Sequence, residues 1–136
     1  MSTKYKFLNP KGIYFVSFSV VNWINIFTRD EYNIIIIDSL KLCQGKKGLI
    51  LHAWCLMKNH VHLIFSCKQP GNPSALLGDF KKFTSVKLVE AIKSYEEDTR
   101  KEWILKQLKR AGLKNSNNTN YQFWQQDNHP IEVFSL

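Results

Sequence analysis

The chain has 136 residues, of which 44% are hydrophobic and 13% aromatic, and its 19 Lys and Arg outnumber its 11 Asp and Glu, which gives a net charge of +8. This length fits a single domain over residues 1–136, and the apolar content excludes an intrinsically disordered chain. The apolar runs are far too short to cross a bilayer and the N-terminus shows no secretory signal, so we expect no membrane partner. The positive charge favours a polyanionic partner.

The cysteines indicate a reducing compartment. Cys43, Cys55 and Cys67 are odd in number and widely spaced, with no CxxC pair among them. This pattern is typical of a reduced intracellular protein without a disulfide framework. We therefore expect a cytoplasmic protein, associated with the nucleoid if its polyanionic partner is DNA.

The first third of the chain predicts a strand followed by a helix. Residues 13–21 are β-branched and aromatic with alternating serines, which is typical of a strand. Thr28 is the expected N-cap of the helix and Glu31 its capping-box partner. The helix should run to about Gln44 and stop at Gly45. Its expected apolar face consists of Tyr32, Ile36, Leu40 and Cys43.

Two more strands and two more helices follow. Residues 49–57 and 61–65 predict a hairpin with its turn at residues 58–59. A second helix should begin after residues 73–74, and a third should cover residues 98–111 with Gly112 as its stop. Their expected apolar sides are Leu76, Leu77, Phe80, Phe83, Val86, Leu88 and Val89 on the second helix, and Trp103, Ile104, Leu105 and Leu108 on the third.

The end of the chain predicts a loop and a last strand. Residues 114–120 form a polar, Asn-rich loop, and residues 121–124 begin a strand that Pro130 interrupts or ends. The resulting order, β-α-β-β-α-(α)-β, is that of a ferredoxin-like α+β sandwich, in which helices cover one face of an antiparallel sheet.

The residues with the clearest chemical meaning are His60 and His62. Residues two apart on a strand point to the same face, so the two imidazoles should lie side by side, with Val61 buried opposite. Two neighbouring imidazoles suit a divalent metal that takes a third ligand from elsewhere in the fold. Considered alone, the triplet also fits two histidines without a ligand.

A longer segment identifies a family. Residues 57–64 read Met-Lys-Asn-His-Val-His-Leu-Ile and closely resemble the M-P-N-H-V-H-L segment of the single-tyrosine HUH transposases of small insertion sequences and their REP-associated relatives. Residues 14–18 resemble the opening strand of that family, residues 77–85 its following helix, and residues 123–126 its F-W-Q segment. Lys58 departs from the family, which usually has Pro in the turn.

The resemblance implies a ferredoxin-like domain that binds single-stranded hairpin DNA and cleaves and rejoins it during transposition. By motif position, His60 and His62 would hold Mg²⁺ or Mn²⁺ against the scissile phosphate. A tyrosine on a later helix would attack the phosphorus and leave a 5′-phosphotyrosine, so that the covalent intermediate conserves the bond for rejoining.

The tyrosine nucleophile is the main departure from the family. The family places it on a helix after the F-W-Q segment, but residues 127–136 contain no tyrosine. We therefore expect this chain to lack that helix, which leaves its activity open. Tyr95 and Tyr121 are the substitutes, and each also fits a partly buried aromatic residue. A homodimer would not supply the missing helix, because both copies would lack it.

The third metal ligand and the DNA surface stay open as well. Candidates for the ligand are His52, Gln126, Asp127 and His129. The basic residues expected to face DNA are Lys81, Lys82 and Lys87 on the second helix and Lys106, Lys109, Arg110 and Lys114 on or after the third. A second basic cluster comprises Lys4, Lys6 and Lys11, close to Tyr5 and Phe7.

Acidic residues at positions 96–98 and 102 interrupt the first basic run, so part of it also fits an ordinary solvated helix face. Two alternative functions follow. One is a hairpin-binding remnant without strand-transfer activity, and the other is a metal-binding domain unrelated to DNA.

Overall fold

The computed structural model describes residues 6–114 and 121–134, in which a four-stranded antiparallel sheet carries three helices. The strands are β1 (Ile13–Ser19), β2 (Leu49–Leu56), β3 (His60–Cys67) and β4 (Ile131–Val133), and the helices are α1 (Asp30–Lys46), α2 (Pro73–Ser94) and α3 (Lys101–Leu113). The strand order is β2-β3-β1-β4. This confirms the predicted ferredoxin-like sandwich. None of the described helices is long and apolar enough to span a bilayer.

The two central strands give the sheet one buried face and one open face. Tyr14, Val16 and Phe18 of β1 are buried, and their neighbours along the strand are only half-buried. Val61 and Leu63 of β3 are buried in the same way, and the register pairs Phe18 with Val61 and Val16 with Leu63. The helices pack on this buried face, so the alternate residues of both strands form the open face.

The predicted N-cap of α1 is wrong, although its apolar face is confirmed. Arg29 occupies the N-cap position without a side-chain hydrogen bond, while the Thr28 hydroxyl donates to the carbonyl of Asn25 at 3.3 Å. The capping box therefore does not form. The expected apolar residues Tyr32, Ile36, Leu40 and Cys43 are all buried.

The end of α1 lies beyond the predicted stop. Gly45 is within the helix, and the residue with a left-handed backbone is Gly48, with φ of +77°. A Cβ at Gly48 would lie 3.3 Å from the Cβ of Lys68, whereas a Cβ at Gly45 would meet nothing within 4 Å. Gly48 therefore ends the helix and turns the chain into β2.

We expect these two glycines to respond oppositely to alanine. Gly48→Ala should lower the free energy of unfolding by about 1 kcal/mol, because an L side chain is strained at positive φ. Gly45→Ala should raise it by up to about 1 kcal/mol, because alanine loses less backbone entropy in a helix. Urea denaturation of both variants tests this, and equal shifts for both would contradict it.

The second and third helices expose three of their predicted apolar residues. Phe83 is 39% exposed, Val86 55% and Trp103 54%. In α2 the buried stripe passes instead through Thr84, whose hydroxyl donates to the carbonyl of Phe80 at 2.8 Å. In α3, Gly112 lies inside the helix and is buried rather than acting as its stop.

The predicted last strand at residues 121–124 is wrong. Only Trp124 makes an isolated bridge there, to Val20, and the true last strand is β4, which follows Pro130 and pairs with β1. Trp124 is nevertheless buried, and its indole N–H donates to the hydroxyl of Thr84 at 3.0 Å. Residues 121–124 thus close the core instead of extending the sheet.

Candidate metal centre and nucleic-acid surface

The two imidazoles of His60 and His62 lie side by side on the open face of the sheet, as predicted. The register places His60 opposite Ser19 and His62 opposite Ser17. Their Nε2 atoms are 3.1 Å apart, and the two rings meet edge to face with centroids 4.7 Å apart. Both residues are only half-buried, so the pair lies at the surface of the open face.

The hairpin turn fixes the tautomer of His60. Its Nδ1 lies 2.7 Å from the side-chain oxygen of Asn59. The amide nitrogen of Asn59 donates to the carbonyl of Trp23 and to the side-chain oxygen of Asn25, each at 3.3 Å, which orients the oxygen toward His60. Because an amide oxygen only accepts, Nδ1 must carry the proton, and the lone pair of His60 is on Nε2.

The ring of His62 is positioned by packing. It stacks on Phe15 with centroids 5.5 Å apart and an interplanar angle of 19°. Burial lowers the pKa of His62, and the neighbouring His60 lowers it further, so both effects favour the neutral ring. Within the described residues its Nδ1 is buried without a hydrogen-bond partner. A neutral imidazole is the form that ligates metals.

The spacing of the two Nε2 atoms fits a divalent ion. Two ligands at right angles, each about 2.1 Å from a six-coordinate ion, lie about 3.0 Å apart. The observed 3.1 Å agrees with that value, and in the absence of an ion the same contact is a hydrogen bond between the two ring nitrogens. The hydrogen bond that Nδ1 of His60, the ring nitrogen far from the pair, donates to the side-chain oxygen of Asn59 is the kind of outer contact that orients metal-binding histidines.

Of the candidates for a third ligand, His52 is the one that the structure places away from this pair. No group of three His, Cys, Asp or Glu suited to a metal is found in the described parts of the chain. His52 lies at a bulge in β2 and its Nε2 is 2.9 Å from the hydroxyl of Ser66, six residues along β3 from His60 and thus about 20 Å away. Gln126, Asp127 and His129 lie in the segment before β4, which is bonded to β1 by the N–H of Ser17 and the carbonyl of Asn128, and as metal ligands they stay predictions.

Cys55 is a neighbour of the pair that the sequence reasoning missed. It is exposed and stands directly opposite His62 in the β2–β3 ladder. The closing contact of the hairpin, from the N–H of Met57 to the carbonyl of His60, fixes that register. Counting back from the predicted turn at residues 58–59 would have placed Cys55 there.

The two substitute tyrosines lie on the helical side of the sheet. Tyr95 packs edge-on against the buried Tyr32 of α1, with ring centroids 5.9 Å apart. Tyr121 receives the ammonium of Lys93 from α2 over its ring, 4.8 Å from the centroid. The imidazoles are on the opposite face, so the fold does not bring either tyrosine to them. As nucleophiles, both stay predictions.

Lys81, predicted to face DNA, is engaged with the protein. Its ammonium donates to the carbonyl of Gln125 at 2.8 Å and to the side-chain oxygen of Asn128 at 2.6 Å. Burial lowers the pKa of Lys81 to about 8, against the opposing effect of the Asp127 carboxylate. The lysine therefore ties the segment before β4 to α2, and contact with DNA stays a prediction.

The remaining predicted DNA contacts are exposed. Within residues 6–114 and 121–134, the ion pairs use only Arg29, Arg100 and Lys101 as cations. The predicted contacts that are exposed and take part in none of these pairs are Lys82 and Lys87 on α2, Lys106, Lys109 and Arg110 on α3, and Lys114. In the second basic cluster Lys6 and Lys11 are exposed, while Lys4 and Tyr5 lie outside the described residues.

Comparison with known proteins connects this arrangement to a family. The family model for IS200-like transposases matches residues 18–108, more than half of the chain. A candidate transposase from Deinococcus radiodurans R1 is similar in structure, with a TM-score of 0.52 and 19% identity over 67% of this chain and 68% of that one. This likeness shows a shared fold.

A REP-associated tyrosine transposase bound to a REP hairpin also matches, with a TM-score of 0.49 and 15% identity over 100% of this chain. The present chain spans 64% of that protein's length. No protein of curated function matches.

Proposed function

The chain belongs to the IS200-like transposase family, and from this premise we propose that it binds a single-stranded DNA hairpin and holds Mg²⁺ or Mn²⁺ between His60 and His62. The observation that carries the proposal is the pair of Nε2 atoms 3.1 Å apart on the open face of the sheet. The net charge of +8 and the exposed lysines and arginine of α2 and α3 support a DNA partner.

The open face supplies the groups that a scissile phosphate needs. When bound, a divalent ion would withdraw charge from the phosphate oxygens and favour attack on phosphorus. Asn59 holds His60 in the tautomer with a free Nε2, and Phe15 holds the plane of the His62 ring. Ser17 and Ser19 lie beside the imidazoles on the same face, so their hydroxyls can donate to phosphate oxygens.

In the full form of the proposal, the protein also cleaves and rejoins the strand. A tyrosine hydroxyl attacks the phosphorus, loses its proton, and displaces the 3′-oxygen of the neighbouring nucleotide, which leaves as a free 3′-OH. The reverse reaction restores the phosphodiester without an external energy source. Tyr95 and Tyr121 are the tyrosines proposed for this role. A homodimer and a cytoplasmic, nucleoid-associated location belong to the same proposal.

One observation favours a second candidate function, hairpin binding without strand transfer. Every tyrosine within the described residues lies away from the imidazole pair. Tyr14 and Tyr32 are fully buried on the helical side, and Tyr95 and Tyr121 pack against the core from the same side. In this form the protein would occupy hairpins and leave their phosphodiesters intact.

A labelled single-stranded hairpin with Mn²⁺, run on native and denaturing gels, tests the proposal. We expect retardation on the native gel, with an affinity that falls at least about 10-fold from about 50 to about 200 mM salt, because phosphate contacts release counterions. A blunt duplex of the same length is the control and should bind more weakly. Absence of hairpin retardation would contradict both candidate functions.

The denaturing gel separates the two candidates. A labelled band at the mass of the protein plus DNA would show a covalent phosphotyrosine and support strand transfer. Retardation without that band would support hairpin binding alone. Repeating the denaturing gel with Tyr95→Phe and Tyr121→Phe would then identify the nucleophile, because only the substitution of that residue removes the covalent band.

A further inference from the structure

A polar cleft of about 540 Å³ lies between the 3₁₀ turn Val21–Trp23, α3 and residues 122–126. This volume is within the range of about 300–1,000 Å³ that is typical of small-ligand sites. We propose that the cleft binds one unpaired nucleotide of single-stranded DNA. Its carboxamides would form hydrogen bonds with the base, and its cations would bind the phosphate. The inference rests on the proposed function, because it names a second contact with the same DNA strand.

The side chains of the cleft match the edges of a nucleobase. Five carboxamides line it, those of Asn22, Gln107, Gln122, Gln125 and Gln126. A carboxamide offers a donor and an acceptor side by side, which is the pattern that base edges present. The amide of Asn22 donates to the side-chain oxygen of Gln107 at 3.2 Å and so joins the turn to α3.

The charge of the cleft suits a phosphate. Its two ionisable lining residues are Arg110 and Lys114, both exposed, and no carboxylate lines it. An arginine can bind phosphate oxygens through two parallel hydrogen bonds, and a lysine adds a point charge. Amides beside uncompensated cations therefore favour a ligand that has both a polar planar part and a negative charge.

The backbone next to the cleft is strained. Asn22 and Trp23 have φ of 56° and 51°, in the left-handed region that non-glycine residues rarely adopt. The turn is held by hydrogen bonds from the N–H of Trp23 to the carbonyl of Val20 and from the amide of Asn59 to the carbonyl of Trp23. Strained residues fixed in this way concentrate at binding and catalytic sites.

Two exposed tryptophans adjoin the lining residues. Trp23 follows Asn22 directly and is 64% exposed, and Trp103 lies one helical turn before Gln107 and is 54% exposed. Residues four apart share one helix face, so Trp103 and Gln107 are neighbours on α3. Solvent-exposed tryptophans beside a positively charged cleft are typical surfaces on which unpaired bases stack.

The cleft is connected to the imidazole pair through the end of β1. The N–H of Gln125 donates to the carbonyl of Ser19 at 2.8 Å, and Ser19 is the strand partner of His60. A single strand whose phosphate lies at the imidazoles would pass around this end of β1 to reach the cleft, which α3 lines on the helical side. The nucleotide in the cleft would belong to the single-stranded flank of the hairpin rather than to its paired stem.

Fluorescence anisotropy with two hairpin probes tests the inference. One probe carries intact four-nucleotide single-stranded flanks on both sides, and the other carries flanks of the same length without bases. We expect the wild-type protein to bind the intact probe about 10-fold more tightly, because stacking and base contacts are lost with the abasic flanks. Gln107→Ala should remove most of that preference, and Gln126→Ala, at an exposed position, should reduce it.

The adjacent residues Lys109 and Arg110 form a matched pair on α3, since both are exposed and only Arg110 lines the cleft. Arg110→Ala should weaken binding of the intact probe more than Lys109→Ala does, because only Arg110 lies where the phosphate in the cleft would be bound. Urea denaturation of each variant checks that it is folded.

Equal affinities of the wild type for the two probes, or equal effects of Lys109→Ala and Arg110→Ala, would overturn the inference. If hairpin binding persists in that case, the proposed function survives and only the nucleotide site is wrong. If neither probe binds, both are wrong.

Discussion

The double substitution His60→Ala/His62→Ala will abolish Mn²⁺ binding, with a fall in affinity of at least about 100-fold, because it removes both imidazole ligands. Asn59→Ala should give a smaller loss of about 10-fold, because the ring of His60 loses the acceptor that fixes its tautomer. Isothermal titration with MnCl₂ measures all three affinities. Both imidazoles are half-buried, so the variants should remain folded.

The control for this prediction is His52→Ala. His52 is a histidine of the same sheet, but its ring bonds to Ser66 instead of facing the pair. Its removal should leave Mn²⁺ affinity within about twofold, since it takes no part in the proposed site. Tight Mn²⁺ binding by the double variant would refute the ligand assignment. A large loss of Mn²⁺ affinity with His52→Ala would show that the metal site includes His52, contrary to the proposal.

The second large effect concerns stability. Asp98→Ala should lower the free energy of unfolding by about 3 kcal/mol, because it leaves the buried hydroxyl of Tyr32 without its acceptor and the partly buried Arg29 and Arg100 without a counter-charge. The carboxylate is buried and accepts hydrogen bonds from the hydroxyl of Tyr32 at 3.0 Å and from the backbone and side chain of Arg100 at 3.0–3.1 Å. The guanidinium of Arg29 lies 3.6 Å away. The cluster joins α1 to the start of α3.

The same carboxylate predicts a pH dependence. Burial alone would raise the pKa of Asp98, but the hydrogen bonds from Arg100 and Tyr32 outweigh it and lower the pKa from 3.8 to about 2. The folded state therefore binds the proton less readily than the unfolded state. The contribution of Asp98 to the free energy of unfolding is complete above pH 3.8 and is lost as the pH falls toward 2.

Urea denaturation at several pH values between about 2 and 5 measures this contribution. Asp98→Asn is the informative variant, because it keeps the size of the side chain and cannot titrate, so the stability difference from wild type should shrink as the pH falls through this window. Asp38→Ala, at an exposed position of α1, is the control and should change the unfolding free energy by less than about 0.5 kcal/mol. A pH-independent difference for Asp98→Asn would contradict the assignment.

The sheet and the imidazole pair could be predicted because they depend on local patterns. The period of two puts His60 and His62 on one face wherever the strand lies, and alternation along β1 identifies the buried side of the sheet. The same period with the two-residue turn would also have given Cys55. These features need only the geometry of a strand and a hairpin.

The features that could not be predicted depend on tertiary contacts. β4 has only three residues and forms by pairing with the free edge of β1. Such a short strand has no run of alternating residues from which it could be predicted. Trp103 is next to the buried Ile104 in sequence, and helical periodicity cannot decide which residue of such a pair the core accepts. The hydrogen-bond acceptors of the Lys81 ammonium are 44 and 47 residues away in the chain. Nothing in the sequence around a lysine in a basic run indicates that it is buried by such contacts.

The position of Cys55 opposite His62 has a practical consequence for thiol chemistry. Cys43 and Cys67 are buried, and burial raises the pKa of both thiols, so maleimide or iodoacetamide reagents react with them slowly at neutral pH. Cys55 is exposed. The native chain therefore offers a selective attachment point for a spin label or a fluorophore, one strand away from the imidazoles. Manganese is paramagnetic, so such a label would report its arrival at the site by relaxation or quenching, without any engineered cysteine.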